Sequence, residues 1–118
     1  MDFERDWIEE VRNERNRILE SNKSPLEILV GVFELCENEF DITMLKKRQP
    51  QLYQILQEFC SHVPATDEEL RDNSRNLAKF FNLHKDEIRD CDIQLYYALL
   101  NFIDMLKKKK MYLIILQT

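Results

Sequence analysis

The chain has 118 residues, of which 44% are hydrophobic and 33% charged, and its formal net charge at pH 7 is -5. This composition is typical of one compact domain and argues against disorder, and the acidic balance disfavours direct binding to nucleic acid, which depends on a positive surface. One glycine and three prolines are too few for the tight turns of a sheet-rich fold, so the composition favours helices.

The three cysteines, Cys36, Cys60 and Cys91, are widely spaced and include no C-x-x-C pair. Neither a disulfide framework nor a zinc site is indicated, and Cys60 with His62 has no second pair of ligands at a suitable spacing. We therefore expect no metal and no cofactor. The first residues lack the apolar run of a signal peptide, so we expect a reducing compartment and a nuclear or cytoplasmic location.

The first predicted helix runs to about Leu19 or Glu20. Its apolar stripe is interrupted in the middle by Glu14 and Arg15. Trp7 either anchors this helix in the core, which we favour, or lies in an exposed groove. The members of the stripe are Phe3, Trp7, Ile8, Val11, Ile18 and Leu19.

A capping box at residues 24–27 opens the second predicted helix, which runs to about Glu37. The Ser24 hydroxyl can accept from the N–H of Glu27, and the Glu27 carboxylate can reach the N–H of Ser24. Gly31 lies inside this helix, where glycine costs roughly 1 kcal/mol relative to alanine. Its presence suggests that a neighbouring helix approaches closely there.

Four more helices are predicted, over about residues 42–48, 51–60, 67–82 and 93–107. A second capping box, from Thr66 to Glu69, opens the third of these, and residues 83–88 can continue it after a kink. Asp90 or Asp92 caps the last one. That helix is apolar nearly all round, so it is either buried centrally or half-buried with a partner on its other face.

These elements predict an all-α fold, a compact bundle of about five to six helices that forms a single domain over residues 1–110. Residues 111–118 follow a run of lysines as an apolar C-terminal tail. The tail either folds back onto the bundle or remains exposed. It is too short to cross a bilayer, which needs about 20 apolar residues, so we expect no membrane span.

Four segments carry a family resemblance: Leu26–Val30 with Phe33–Leu35, Phe40–Leu45, Leu52–Leu56 and Leu77–Phe81. In their order and residue types, they make Pro25–Phe81 resemble the N-terminal domain of the transcription elongation factor TFIIS. The same segments resemble the related integrase-binding domain of the lens-epithelium-derived growth factor family.

Domains of this kind hold short disordered motifs of transcription and chromatin proteins in a cleft between two interhelical loops. The resemblance places these loops at Glu20–Lys23 and Cys60–Thr66. An acidic residue in the first loop of the integrase-binding branch is replaced here by Ser21 and Asn22, so the partner specificity of that branch does not carry over. The partner-binding residues that the resemblance implies are Ser21, Asn22, Lys23, His62 and Val63.

We therefore expect a non-enzymatic module that binds a protein or a short peptide motif. The acid–base candidates Glu37, Glu39, His62 and His84 have no recognisable nucleophile, metal set or glycine-rich phosphate loop beside them. The alternative is another class of helical adaptor, such as a viral-type death regulator that takes an amphipathic helix in a groove beside the last helix.

Overall fold

The computed structural model describes residues 3–36 and 41–108, without the side chains of residues 3–8, 36, 41, 42 and 44. This part of the chain forms six α-helices and no strand, which confirms the all-α prediction of five to six helices. The expected core position of Trp7 and the tail at residues 111–118 lie outside what is described. The helices are α1 (Phe3–Leu19), α2 (Pro25–Cys36), α3 (Asp41–Arg48), α4 (Pro50–Ser61), α5 (Asp67–Cys91) and α6 (Ile93–Lys108).

The core of the bundle lies around α6, which packs against α1, α2 and α5. One face of α6 is fully buried, whereas Ile93 and Tyr97 on its outer face are 52% and 47% exposed. The last helix is therefore half-buried, and a partner on its outer face stays a prediction. The largest groups of buried apolar side chains come from α2 (Ile28, Leu29, Val32, Phe33), α5 (Leu70, Leu77, Ala78, Phe81, Ile88) and α6 (Leu95, Ala98, Leu99, Phe102, Ile103, Leu106).

The capping boxes predicted at residues 24–27 and 66–69 lie at the starts of α2 and α5. Thr66 Oγ1 accepts from the N–H of Glu69 at 3.2 Å, and the Glu69 carboxylate accepts from the N–H of Ala65 at 3.0 Å. Ser24 Oγ accepts from the N–H of Glu27 at 3.3 Å. The Glu27 carboxylate accepts from the Ser24 hydroxyl at 3.2 Å rather than making the expected bond to the Ser24 N–H. A cap of this kind contributes about 1 kcal/mol.

The fifth helix continues beyond Asn82 to Cys91, with a kink at His84, where φ is -125° and ψ is 20°. The continuation after a kink was one of the outcomes expected from the sequence. Beyond the kink, Glu87 accepts a hydrogen bond from the buried side-chain amide of Gln49, which lies at the corner between α3 and α4. This bond ties the corner to the second part of α5.

Gly31 marks the contact between α2 and α1, as its position in the sequence suggested. A Cβ atom added there would lie 3.4 Å from Cγ2 and 3.5 Å from Cδ1 of Ile18. These are ordinary van der Waals distances. The Ile18 side chain of α1 therefore packs directly against α2 at Gly31, and the methyl group of an alanine would also fit there.

Arg15, which interrupts the apolar stripe of α1, lies inside the bundle. It is fully buried, and its Nη2 donates to Oδ2 of Asp92 at 2.8 Å. Asp92 lies between α5 and α6 and also caps α6, because its Oδ1 accepts from the N–H of Leu95 at 3.1 Å. A buried guanidinium needs such a partner, and the partner lies 77 residues away in sequence.

Gln94 adds a second connection between α1 and α6. Its Nε2 donates to the carbonyl of Arg12 at 2.8 Å and to Oδ1 of Asn16 at 2.9 Å. We refer to Arg15, Asn16, Asp92 and Gln94 as the α1–α6 junction. Its directional bonds fix the position of α1 along α6.

Candidate functional site

The α1–α2 loop, residues 20–24, contains three of the predicted binding residues. Ser21 is half-buried and donates to the carbonyl of Ile18 at 2.6 Å, whereas Asn22 and Lys23 are exposed. Ser21 therefore helps to close the end of α1. It also lines a cavity of about 390 Å³ together with Leu19, Pro25, Ile28, Asn101, Asp104, Met105 and Lys108.

The α4–α5 loop, residues 62–66, contains the other two. His62 is exposed, and Val63 is 45% exposed, while Pro64 is buried. His62 lines a cavity of about 270 Å³ between α4 and α5. The buried Pro64 and the Thr66 cap hold the loop in place and leave the apolar Val63 side chain in solvent.

Both loops lie towards the carboxyl half of α6. Ser21 shares its cavity with residues of α6 from Asn101 onwards. The ring of Phe59, at the end of α4, lies 5.5 Å from the ring of Phe102. Ser21 and the end of α4 thus both lie near the second half of α6, but Ser21 and His62 line different cavities. The partner-binding roles of the five residues stay a prediction.

The cavity at His62 continues along α4 and α5. A second cavity of about 410 Å³ adjoins it, and the two share Ile55, Glu58 and Asn76. Together they form what we call the α4–α5 groove, which runs from His62 to Leu83. Its lining residues are Gln51, Gln54, Ile55, Glu58, Phe59 and His62 on one side and Asp72, Asn73, Asn76, Lys79, Phe80 and Leu83 on the other.

One end of the groove is apolar. Leu83 is 78% exposed there, and Ile55 and Phe80 are half-buried. Sequence reasoning did not identify this patch. The available signal was the position of Leu83, which falls outside the helical face that carries Leu77 and Phe81.

Four side-chain amides are distributed along the groove, those of Gln51, Gln54, Asn73 and Asn76, and Asn76 lines both cavities. Among the described residues, the one side-chain hydrogen bond of these amides runs from Gln54 Nε2 to Glu58 Oε1, at a long 3.5 Å. Each amide offers both donor and acceptor atoms, as a peptide backbone does. Such side chains can bind the main chain of a peptide without regard to its sequence.

Two of the acid–base candidates, His62 and His84, lie in the described part of the chain. Among the side chains that the structure describes, no group of three or more His, Cys, Asp and Glu is placed to hold a metal ion. His84 Nδ1 lies 3.6 Å from Glu87 Oε1, and the His84 ring stacks at 4.5 Å on Phe80 rather than approaching a nucleophile. Glu37 and Glu39 lie outside the described residues. None of the described helices is long and apolar enough to cross a membrane.

Comparisons with known proteins leave the resemblance untested. No protein-family model, curated protein or solved structure matches the chain. The likeness of Pro25–Phe81 to the TFIIS N-terminal domain stays a prediction.

Proposed function

We propose that this chain is a non-enzymatic protein-interaction module that captures a short linear motif of a partner protein. The motif binds at the α4–α5 loop and in the adjoining groove. The observation that carries the proposal is an open groove with the exposed apolar Leu83 at one end and His62 at the other, where the next residue in the chain is the exposed Val63. Single exposed apolar residues are common, but one that lines an open groove suits a ligand with apolar side chains.

The dimensions of the groove suit a short extended segment. Asp72 and Leu83 are eleven residues apart on α5, which corresponds to about 16 Å along the helix. An extended peptide covers that length with about five residues. The groove is open along its side, so a segment within a longer disordered chain can enter without a free terminus.

The family resemblance extends the proposal to the identity of the partners. Under it, the partner is a transcription or chromatin-associated protein, and the module works in the nucleus or cytoplasm. Ser21, Asn22 and Lys23 then supply a second contact from the neighbouring loop. The net charge of -5 suits partners whose binding segments are basic.

Selection from a phage-displayed library of random dodecapeptides tests the proposal. We expect the wild-type chain to enrich binding peptides and the Val63→Asp variant to lose them, because the new carboxylate would be buried against an apolar side chain of the peptide. The matched control is Tyr97→Asp, which places the same charge on the outer face of α6. It should retain the peptides.

Circular dichroism of both variants establishes that they are folded. Full capture of the peptides by a folded Val63→Asp variant would contradict binding at the α4–α5 loop. Failure of the wild-type chain to enrich any peptide would contradict the proposed function itself.

A second candidate function is supported by the outer face of α6. Ile93 and Tyr97 are about half exposed, and Leu100 is half-buried one turn further on. This spacing presents an apolar stripe to which an amphipathic helix can bind, as in the helical-adaptor alternative. Under that alternative, Tyr97→Asp rather than Val63→Asp abolishes binding.

A further inference from the structure

The α4–α5 groove differs chemically between its two ends. Near Leu83 the apolar side chains of Phe80 and Leu83 lie beside Lys79, whereas Asp72 lines the end near His62 and Glu58 lines both cavities. The one cation that lines it, among the described residues other than His62, is Lys79, on the Leu83 side. A ligand that fills the whole groove therefore contacts apolar side chains near Leu83 and carboxylates towards His62.

The distance between the two surfaces follows from the helix that carries both. Phe80 and Asp72 are eight residues apart on α5, about 12 Å along its axis, with Asn76 midway between them. Successive residues of an extended peptide are about 3.3 Å apart. Side chains that reach the two surfaces must therefore be about three to four residues apart in the peptide.

Resting on the proposed function, we infer that the groove takes an extended peptide with an apolar residue and, three to four positions away, a lysine or arginine. The apolar side chain packs on Ile55, Phe80 and Leu83, and the cation lies near Glu58 and Asp72. The amides between them bind the peptide backbone. The groove then selects a motif by the order and spacing of two residue types.

The carboxylates contribute selectivity more than affinity. Both side chains are exposed, and Asp72 Oδ1 also lies 3.6 Å from Nε of Arg71, so each new ion pair adds little to the affinity. A peptide with glutamate in place of the cation loses these contacts and meets like charges instead. We expect the two peptides to differ by about tenfold in affinity.

Two fluorescently labelled peptide pools test the inference. In one pool leucine and arginine are fixed three or four positions apart, in both orders, with all other positions random; in the other pool glutamate replaces arginine. By fluorescence anisotropy, the wild-type chain should bind the arginine pool about tenfold more tightly. The variant Glu58→Lys with Asp72→Lys should prefer the glutamate pool, and Leu83→Ser should weaken binding of both.

The matched control is Glu9→Lys with Glu10→Lys, which makes the same change in net charge at two exposed residues of α1. It should keep the preference for arginine. If this control loses the preference as fully as the groove variant, the selectivity comes from overall charge and the inference is wrong. An unchanged preference in the groove variant, or no preference in the wild-type chain, overturns it equally.

The random-library selection separates this inference from the proposed function, because it fixes no charge and no spacing. Enriched dodecapeptides together with pools that the wild-type chain does not distinguish would leave the proposed function standing and remove the apolar–basic motif. If neither the library nor the pools yield a binder, both are wrong.

Discussion

The α1–α6 junction and the α4–α5 groove place similar polar side chains between two helices but in opposite environments. In the junction, Arg15 is fully buried and bonded to Asp92, and the amide of Gln94 makes two short hydrogen bonds. In the groove, amides such as that of Asn76 are exposed. The buried polar groups of the junction are therefore bonded within the fold, whereas the exposed amides of the groove can bind a ligand.

The physical reason is the cost of removing a polar group from water. A buried charge or amide is tolerated only when other protein groups replace the water it has lost, and removing one partner leaves the other group without compensation. A solvated amide has no such dependence on its neighbours. The fold should therefore be sensitive to substitution in the junction and insensitive to it in the groove, while peptide binding should show the reverse.

The largest expected effect on stability is that of Asp92→Ala. It breaks the buried ion pair of the Arg15 guanidinium with Asp92 and removes the cap of α6, so we expect the free energy of unfolding to fall by about 3–5 kcal/mol. Urea unfolding followed by circular dichroism measures the change.

The double variant Arg15→Met with Asp92→Ala is the control for this effect. It should recover part of the loss, because no buried charge then remains. A change of less than about 1 kcal/mol in Asp92→Ala alone would mean that the pair is not buried as described.

The next, smaller effects on stability come from removing one side-chain amide in each region, that of Gln94 in the junction and that of Asn76 in the groove. Gln94→Ala removes two hydrogen bonds from a buried site and leaves the Arg12 carbonyl and the Asn16 side chain without that donor, so we expect a loss of about 1–3 kcal/mol. Asn76→Ala, in the groove, should change stability by no more than about 0.5 kcal/mol. Equal losses in urea unfolding would contradict the distinction between the two regions.

Most helix boundaries could be predicted from the sequence because they depend on local chemistry. Pro25 and Asp67 begin α2 and α5 as their capping boxes indicate, and the last helix begins at Ile93 after the Asp92 cap. The kink near His84 was also expected. Each of these features depends on residues within one or two helical turns.

Burial of Arg15 could not be predicted in the same way. Its neighbours in the sequence are polar, and the ion pair with Asp92, which the packing of α1 on α6 brings close, makes its burial tolerable. The α4–α5 groove was missed for a similar reason, because it exists only once the two helices lie side by side. The exposure of Val63, in contrast, depends on local chemistry, because the residue stands before Pro64 in a short loop.

Mapping of a bound peptide on the ¹⁵N–¹H correlation spectrum tests the central proposal most directly. With a dodecapeptide enriched by the wild-type chain, we expect the shifted amide signals to cluster in residues 51–63 and 72–83, with those of residues 12–16 and 92–94 unchanged. Shifts centred instead on residues 93–100 of α6, with none along α4 and the first part of α5, would contradict the assignment of the groove.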